Sequence, residues 1–253
     1  MDKYHCYSDT AGTVLAAENG SVAYIKNARP NTYTANNNAI QTVTAKRAIL
    51  KSDGLEFTRS ADGGYPVDLS YLANETSVSI LSVFARTVDT TNNGFSTIIS
   101  GQTDATNSQY SLFFRTDGKL NYTQFNNSLV SPTAPAFVNR KFSINITENY
   151  GTAFPRTLTR DGSVLASTTS TTTAPNTNPL VSNTGGIIGN TNSILYRTGA
   201  AHANNLGTAF GGVISDIWIW VGSVAAYTNW DNNMLGRFFN YYRDLKIPAY
   251  TTG

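Results

Sequence analysis

Cysteine is nearly missing from this chain. Cys6 stands alone, so no disulfide can form within it, and the sequence predicts an inert thiol near the N-terminus. Histidine is almost as scarce, with only His5 and His202. Two histidines and one cysteine give no zinc-ligand spacing. Neither histidine stands near a Gly-x-Ser-x-Gly elbow, because the chain has none. Charge is thin, at 13% of residues, against about a quarter in ordinary domains. No basic run exceeds two residues, which argues against counterion-release binding to nucleic acid. No apolar run reaches the ~18 residues that a membrane helix needs. The opening Met-Asp-Lys-Tyr-His-Cys carries no apolar h-region, so the sequence predicts synthesis in a cytoplasm without a secretory signal.

Threonine and asparagine stand where charge would be, with 34 Thr and 27 Asn in 253 residues. Branched Thr fits a pleated surface, and Asn fits turns because it tolerates positive φ. The sequons at Asn19, Asn74, Asn121, Asn126 and Asn145 read as chance in such a composition. A hydrophobic content of 40%, with 12 Phe, 14 Tyr and 3 Trp, supplies a real core. The balance predicts an all-β protein with polar loops.

The pattern along the chain agrees. Residues 1–20 read as an N-terminal arm or edge strand, and 21–253 as a single domain without internal repeat. Strands are expected at 21–26, 49–50, 55–57 and 67–69, with a long one at 77–87. Further strands follow at 95–100, 110–115, 119–125 and 142–148. In the last of these, Phe142, Ile144 and Ile146 alternate as the inward set. Asp117-Gly118 and Asp161-Gly162 mark hairpins, because both central residues of a type I′ turn need positive φ. The Ser/Thr run at 167–179 reads as an edge strand plus a loop. Apolar strands recur at 185–190 and 210–221. A helix is expected at 229–243, capped by Thr228 or Asn229, with Trp230, Met234, Phe238, Tyr241 and Tyr242 on its packed stripe. The Gly185-Gly186 and Gly211-Gly212 pairs precede strands, so they read as bulges or points of close backbone approach.

The order of these pieces resembles the concanavalin A-like, laminin-G-type jelly roll. The elements that carry the resemblance are Gly54-Leu55-Glu56-Phe57, the strand Val78–Arg86, Ile98-Ile99-Ser100, and the hairpin with Tyr110, Leu112, Phe114, Asp117, Gly118 and Leu120. After them come Asp161-Gly162, Ile188-Gly189, and the strand with Phe210, Gly212, Ile214, Asp216 and Ile219, followed by the late helix. Two departures stand out. No tryptophan opens the strand at 141–147, and Ser215 stands where an acidic residue often precedes Asp216. Residues Asn36–Phe57 also resemble a stretch of phage-encoded members, through Ala39, Gln41, Thr42, Leu55 and Phe57.

The resemblance implies an antiparallel two-sheet jelly-roll sandwich with one short C-terminal helix. It also implies a virion protein made in a host cytoplasm: a decoration, head-fibre or tail-associated protein. Its partners would be other virion proteins and cell-surface glycans, and it would serve host attachment, with homo-oligomers common among such appendages. A purely structural capsid or tail subunit is the first alternative, and a glycan-cleaving enzyme the second. Glycosidases of this fold carry clustered carboxylates, because retention needs a pair about 5–5.5 Å apart and inversion about 6.5–9.5 Å. The four glutamates, Glu18, Glu56, Glu75 and Glu148, are scattered, so a non-enzymatic module is expected. Calcium is the one metal the family pattern suggests, with Asp89 and Asp104 as loop ligands. For sugar stacking the candidates are Trp218, Trp220, Tyr65 and Tyr110. Alternation along 214–221 puts Trp218 and Trp220 with Ile214 and Asp216 on one face. Ile217, Ile219 and Val221 take the other. A core-facing Trp218 stays open on this pattern alone.

Overall fold

A computed structural model of the chain describes residues 5–27, 38–58, 63–68, 77–87, 96–102, 108–115, 118–124, 127–131, 140–149, 155–160, 163–169, 185–190, 209–221, 241, 243–247 and 251–252. Its first strands are short: β1 (Cys6–Tyr7), β2 (Tyr24–Ile25), β3 (Ala39–Ile40), β4 (Ile49–Lys51), β5 (Gly54–Phe57) and β6 (Tyr65–Asp68). Then come β7 (Ser77–Arg86), β8 (Ser96–Gln102), β9 (Ser108–Phe114), β10 (Leu120–Gln124), β11 (Asn127–Val130) and β12 (Arg140–Asn149). The last are β13 (Pro155–Arg160), β14 (Ser163–Thr169), β15 (Gly185–Ile188), β16 (Gly212–Val221) and β17 (Thr251–Thr252).

The strands build two large sheets and one small one. The first large sheet runs β14-β13-β12-β7-β16-β5-β4, with β17 pairing β12 in parallel; the second runs β11-β10-β9-β8-β15-β6. The other strand pairs are antiparallel. The fold is the expected antiparallel jelly-roll sandwich. Both Asp-Gly signals fall between paired strands, β9 with β10 and β13 with β14. Gly118 has the positive φ, 78°, that the first turn requires. Among the described residues β14 is an edge strand; of the run at 167–179, residues 170–179 lie outside the described residues. Strands β11 and β17 are additions that the sequence pattern did not show.

A ladder of aromatic rings crosses between the large sheets. Phe114 of β9 meets Phe84 of β7 edge-on at 5.8 Å, and Phe84 meets Phe210 at 5.7 Å. Phe210 then meets Phe57 of β5 at 6.5 Å, and Phe57 meets Tyr65 of β6 at 5.9 Å. Each such contact adds about 0.5–1.5 kcal/mol beyond area burial. Arg86 is buried at the end of this ladder, with its guanidinium 4.5 Å from the centre of the Phe114 ring. A cation in a core needs such a partner to offset lost hydration.

The small sheet, β1-β2-β3, covers the free edge of β4. Val22 N–H donates to Ala48 O (3.0 Å), Asn19 N–H to Leu50 O (2.7 Å), and Leu50 N–H to Gly20 O (2.9 Å). An open edge strand invites pairing with other chains, and this segment closes it. The sheet's inner face is Cys6, Ile25 and Ala39, all buried. Its outer face is the cross-strand row Leu15, Tyr7, Tyr24 and Ile40, with Leu15 and Ile40 exposed. The Asp9 carboxylate shapes the loop beside this row. It accepts from Thr13 N–H (3.0 Å), Thr13 Oγ1 (2.7 Å) and Val14 N–H (2.9 Å), and the backbone amide of Val14 leads in holding its pKa below the ordinary value. The Ala39-x-Gln41 element is a packing device here. Buried Gln41 donates from Nε2 to Gly64 O (2.6 Å) and accepts from Val43 N–H (2.9 Å).

The late helix differs in phase from its expected stripe. Tyr241 and Arg243–Lys246 are helical, and Ile247 N–H donates to Arg243 O at 2.9 Å. The buried positions are Arg243 and Ile247, four residues apart, while Tyr241 and Leu245 face solvent. The packed face is therefore set by Arg243 and Ile247 rather than by Tyr241. Arg243 directs its guanidinium to the Asp244 carboxylate through two contacts, 3.0 and 3.1 Å, which satisfies the buried charge. The rest of the expected helix, including Trp230, Met234, Phe238 and Tyr242, lies outside the described residues.

Candidate functional site

The site is built on β16, the long strand between β7 and β5. From Gly212 to Ile214 its residues pair Arg86, Ala85 and Phe84 in turn. Then the register slips: Ile214 faces Phe84 but Asp216 faces Val83, leaving Ser215 as an extra residue. Such a bulge swaps the faces of everything beyond it. Residues directly opposite in an antiparallel pair share a face. Ile214 opposite Phe84 and Ile219 opposite Ile80 are thus on the core side, and Ile217 opposite Ser82 joins them. Asp216 and Trp218, opposite Val83 and Leu81, are on the outer side.

This corrects one expectation and keeps another. Ile214 does not share a face with Trp218, because the bulge at Ser215 moves it to the core. Asp216 and Trp218 do share one, opposite Ile217 and Ile219. Gly54 makes room for the bulge. Its φ is +143°, and a Cβ there would lie 2.8 Å from the Ser215 Cα. Only glycine lets β5 begin this close to the extra residue.

The outer face is closed at one end and opens along the strand. Val213, Val83 and Ala85 are buried outside the main core cluster, whereas Asp216 and Trp218 are half-buried. Ser215 Oγ donates to Asp216 Oδ2 at 2.6 Å. The departure noted in the sequence, serine in place of an acid before Asp216, thus supplies a hydroxyl that holds a carboxylate oxygen. In register with Trp218 across the sheet are Leu81, Asn145 and Thr159; in register with Trp220 are Ser79, Thr147 and Thr157. An indole can stack on the apolar face of a sugar ring while the oriented carboxylate beside it accepts from the sugar's hydroxyls. Alternation already places Asp216 on the Trp218 face; the Ser215 hydroxyl that orients its carboxylate shows only in the fold.

The other candidates fall differently. Tyr65 is not a stacking residue. It is fully buried, its hydroxyl donates to Val22 O (2.6 Å), and it accepts from Ala48 N–H (2.9 Å). Burial raises its pKa. Tyr110 pairs Gly101 in β9, and Trp220 pairs Ser79 in β16; their side chains lie outside the described residues, as do Asp89 and Asp104. Among the described residues, no three His, Cys, Asp or Glu side chains gather as a metal site.

No protein-family model and no curated protein matches the chain. Solved structures do. The chain is similar to the CBM40 of a Ruminococcus gnavus IT-sialidase bound to alpha2,3 sialyllactose, with a TM-score of 0.50 and 14% identity, covering 74% of this chain and 96% of that one. It is also similar to the Trypanosoma rangeli sialidase, with a TM-score of 0.51 and 14% identity, covering 95% of this chain and 36% of that one. At such identity the likeness is one of fold alone, a jelly-roll sandwich.

Proposed function

We infer that the chain is a non-enzymatic glycan-binding module that recognises sugars on the outer face of its larger sheet. The observation that carries this reading is the pair Asp216 and Trp218. They lie side by side on that face, half-buried, with the carboxylate held by Ser215. The fold it shares with a sialyllactose-bound CBM40 supports the same reading. The scattered glutamates support binding over cleavage. Glu56, for example, which pairs Val213 across β5 and β16, is engaged in an ion pair with Lys51 at 3.3 Å. The virion setting, with host-surface attachment as its purpose, rests on the resemblance of Asn36–Phe57 to phage-encoded members. Calcium held through Asp89 and Asp104 belongs to this reading, and a glycan signal lowered by EDTA is its check.

A glycan array on the purified protein is the experiment. Trp218→Ala should weaken the best-bound glycan at least about tenfold, the scale of an aromatic anchor worth 1–2 kcal/mol, with the melting temperature little changed. Unchanged binding in Trp218→Ala, or an array silent at high protein concentration, would overturn the site. A purely structural subunit is the second reading. The row Leu15, Tyr7, Tyr24 and Ile40, exposed at its two aliphatic ends, favours it, since an apolar face on a small sheet suits packing against neighbours. Mass spectrometry of purified particles separates the settings: absence of the chain from particles removes both virion roles.

A further inference from the structure

Asn19 and Gly20 form the turn that hands the N-terminal segment to the edge of β4. Asn19 is exposed and holds a left-handed φ of 62°, a conformation asparagine tolerates better than most residues. Gly20 N–H donates to Ala17 O at 2.8 Å. The side-chain carbonyl of Asn19 is not left to water. Lys51 Nζ donates to Asn19 Oδ1 at 3.0 Å, and the same ammonium lies 3.3 Å from Glu56 Oε2. A positive donor on an amide oxygen draws electron density from its carbon and stabilises the negative oxygen of a tetrahedral intermediate. Gly20, without a Cβ, offers the least hindered backbone nitrogen for attack on that carbon.

We propose that Asn19 is a self-modification site, at which Lys51 promotes succinimide formation and deamidation with water as co-reactant. The Gly20 N–H lets go of Ala17 O, loses its proton to water, and the nitrogen forms a bond to Asn19 Cγ. The Cγ–Nδ2 bond breaks, and ammonia leaves after taking a proton from solvent. Water then opens the ring at one of two carbonyls, giving aspartate or isoaspartate. Aspartate places a carboxylate against Lys51, so the ammonium bridges two acids. Isoaspartate adds a methylene to the main chain between Asn19 N–H, bonded to Leu50 O, and Gly20 O, which accepts from Leu50 N–H. Those two bonds lose their spacing, and the cover over β4 loosens. The site is therefore a slow, one-way release for the N-terminal segment.

The test follows the peptide containing Asn19 by mass spectrometry, with isoaspartyl methyltransferase labelling, in the intact folded protein held in mildly alkaline buffer. Folded wild type should convert, and Lys51→Met should slow it at least about threefold, a small share of what an oxyanion donor gives in a closed site. Lys51→Arg, which keeps a charged donor, should restore most of the rate. In urea, wild type and Lys51→Met should convert equally, since the contact is gone. Hydrogen exchange at Leu50 should quicken as isoaspartate accumulates. Equal folded rates for wild type and Lys51→Met would overturn the proposal. So would an Asn19 that stays an amide when folded while the urea-unfolded chain converts.

Discussion

Gly212→Ala is expected to cost about 3 kcal/mol or more, and to lower the melting temperature by roughly 6–12 °C for a chain of this size. Gly212 opens β16 between β7 and β5, pairing Arg86 on one side and Phe57 on the other. Its φ is +146°, which L side chains rarely adopt. A Cβ would meet the Ala85 carbonyl oxygen and lie 2.9 Å from the Arg86 Cα. These are main-chain atoms of the central strand, so they cannot rotate away as a side-chain tip would. Relief would require β16 to withdraw from β7, breaking the Thr87 N–H to Gly211 O bond (3.0 Å). Urea unfolding followed by fluorescence measures the loss, and a change below about 1 kcal/mol would contradict the geometry. Because Gly212 fixes the register that ends in the Ser215 bulge, the same variant should also weaken the glycan binding proposed for this face.

The parts of the fold that were legible in the sequence are those set by local rules. Period-two runs marked β7 and β12, and Asp-Gly pairs marked the hairpins. Gly212 was legible as a close-approach glycine. What escaped depended on distant contacts. The Ser215 bulge has no local signature, because Gly54, far away in sequence, creates the space for it. A strict alternation through 214–221 therefore places Ile214 on the wrong face, while Asp216 and Trp218 share a face with or without the bulge. The helix phase escaped because Arg243 looks like a surface residue until Asp244 is seen to satisfy it. Strand β11 is four residues of Asn127-Ser-Leu-Val, too short and polar to stand out. Of the stacking candidates, Trp218 stands half-buried on the outer face. Tyr65 suits stacking by residue type, yet its burial depends on the distant Val22 and Ala48 that its hydroxyl bonds.

Tyr65 carries the other large expected effect. Its ring contacts Phe57 in the core, and its hydroxyl sits at the junction of Val22 and Ala48, which pair with each other at 3.0 Å. One side chain thus ties the N-terminal cover, β4 and the second sheet together. Tyr65→Phe keeps the ring and strands a buried carbonyl and a buried amide. At about 1–3 kcal/mol for each unsatisfied group, partly relaxed, the expected loss is about 2–4 kcal/mol. Tyr65→Ala adds a cavity and is expected to exceed about 5 kcal/mol. Hydrogen exchange should show the Phe variant opening first at 16–25 and 47–50, ahead of β7 and β12, because the cover is released before the sandwich. The pH dependence follows from the buried phenol. Its folded pKa lies above the ordinary 10.0 because burial penalises the phenolate. The unfolded chain therefore binds fewer protons above that value, and stability falls as pH rises, by up to about 1.4 kcal/mol per unit. Below pH ~10 this contribution is fully present. Tyr65→Phe should flatten the alkaline limb of a stability-against-pH curve while lowering the plateau. A variant that loses the plateau but keeps the full alkaline slope would show that other groups set the slope.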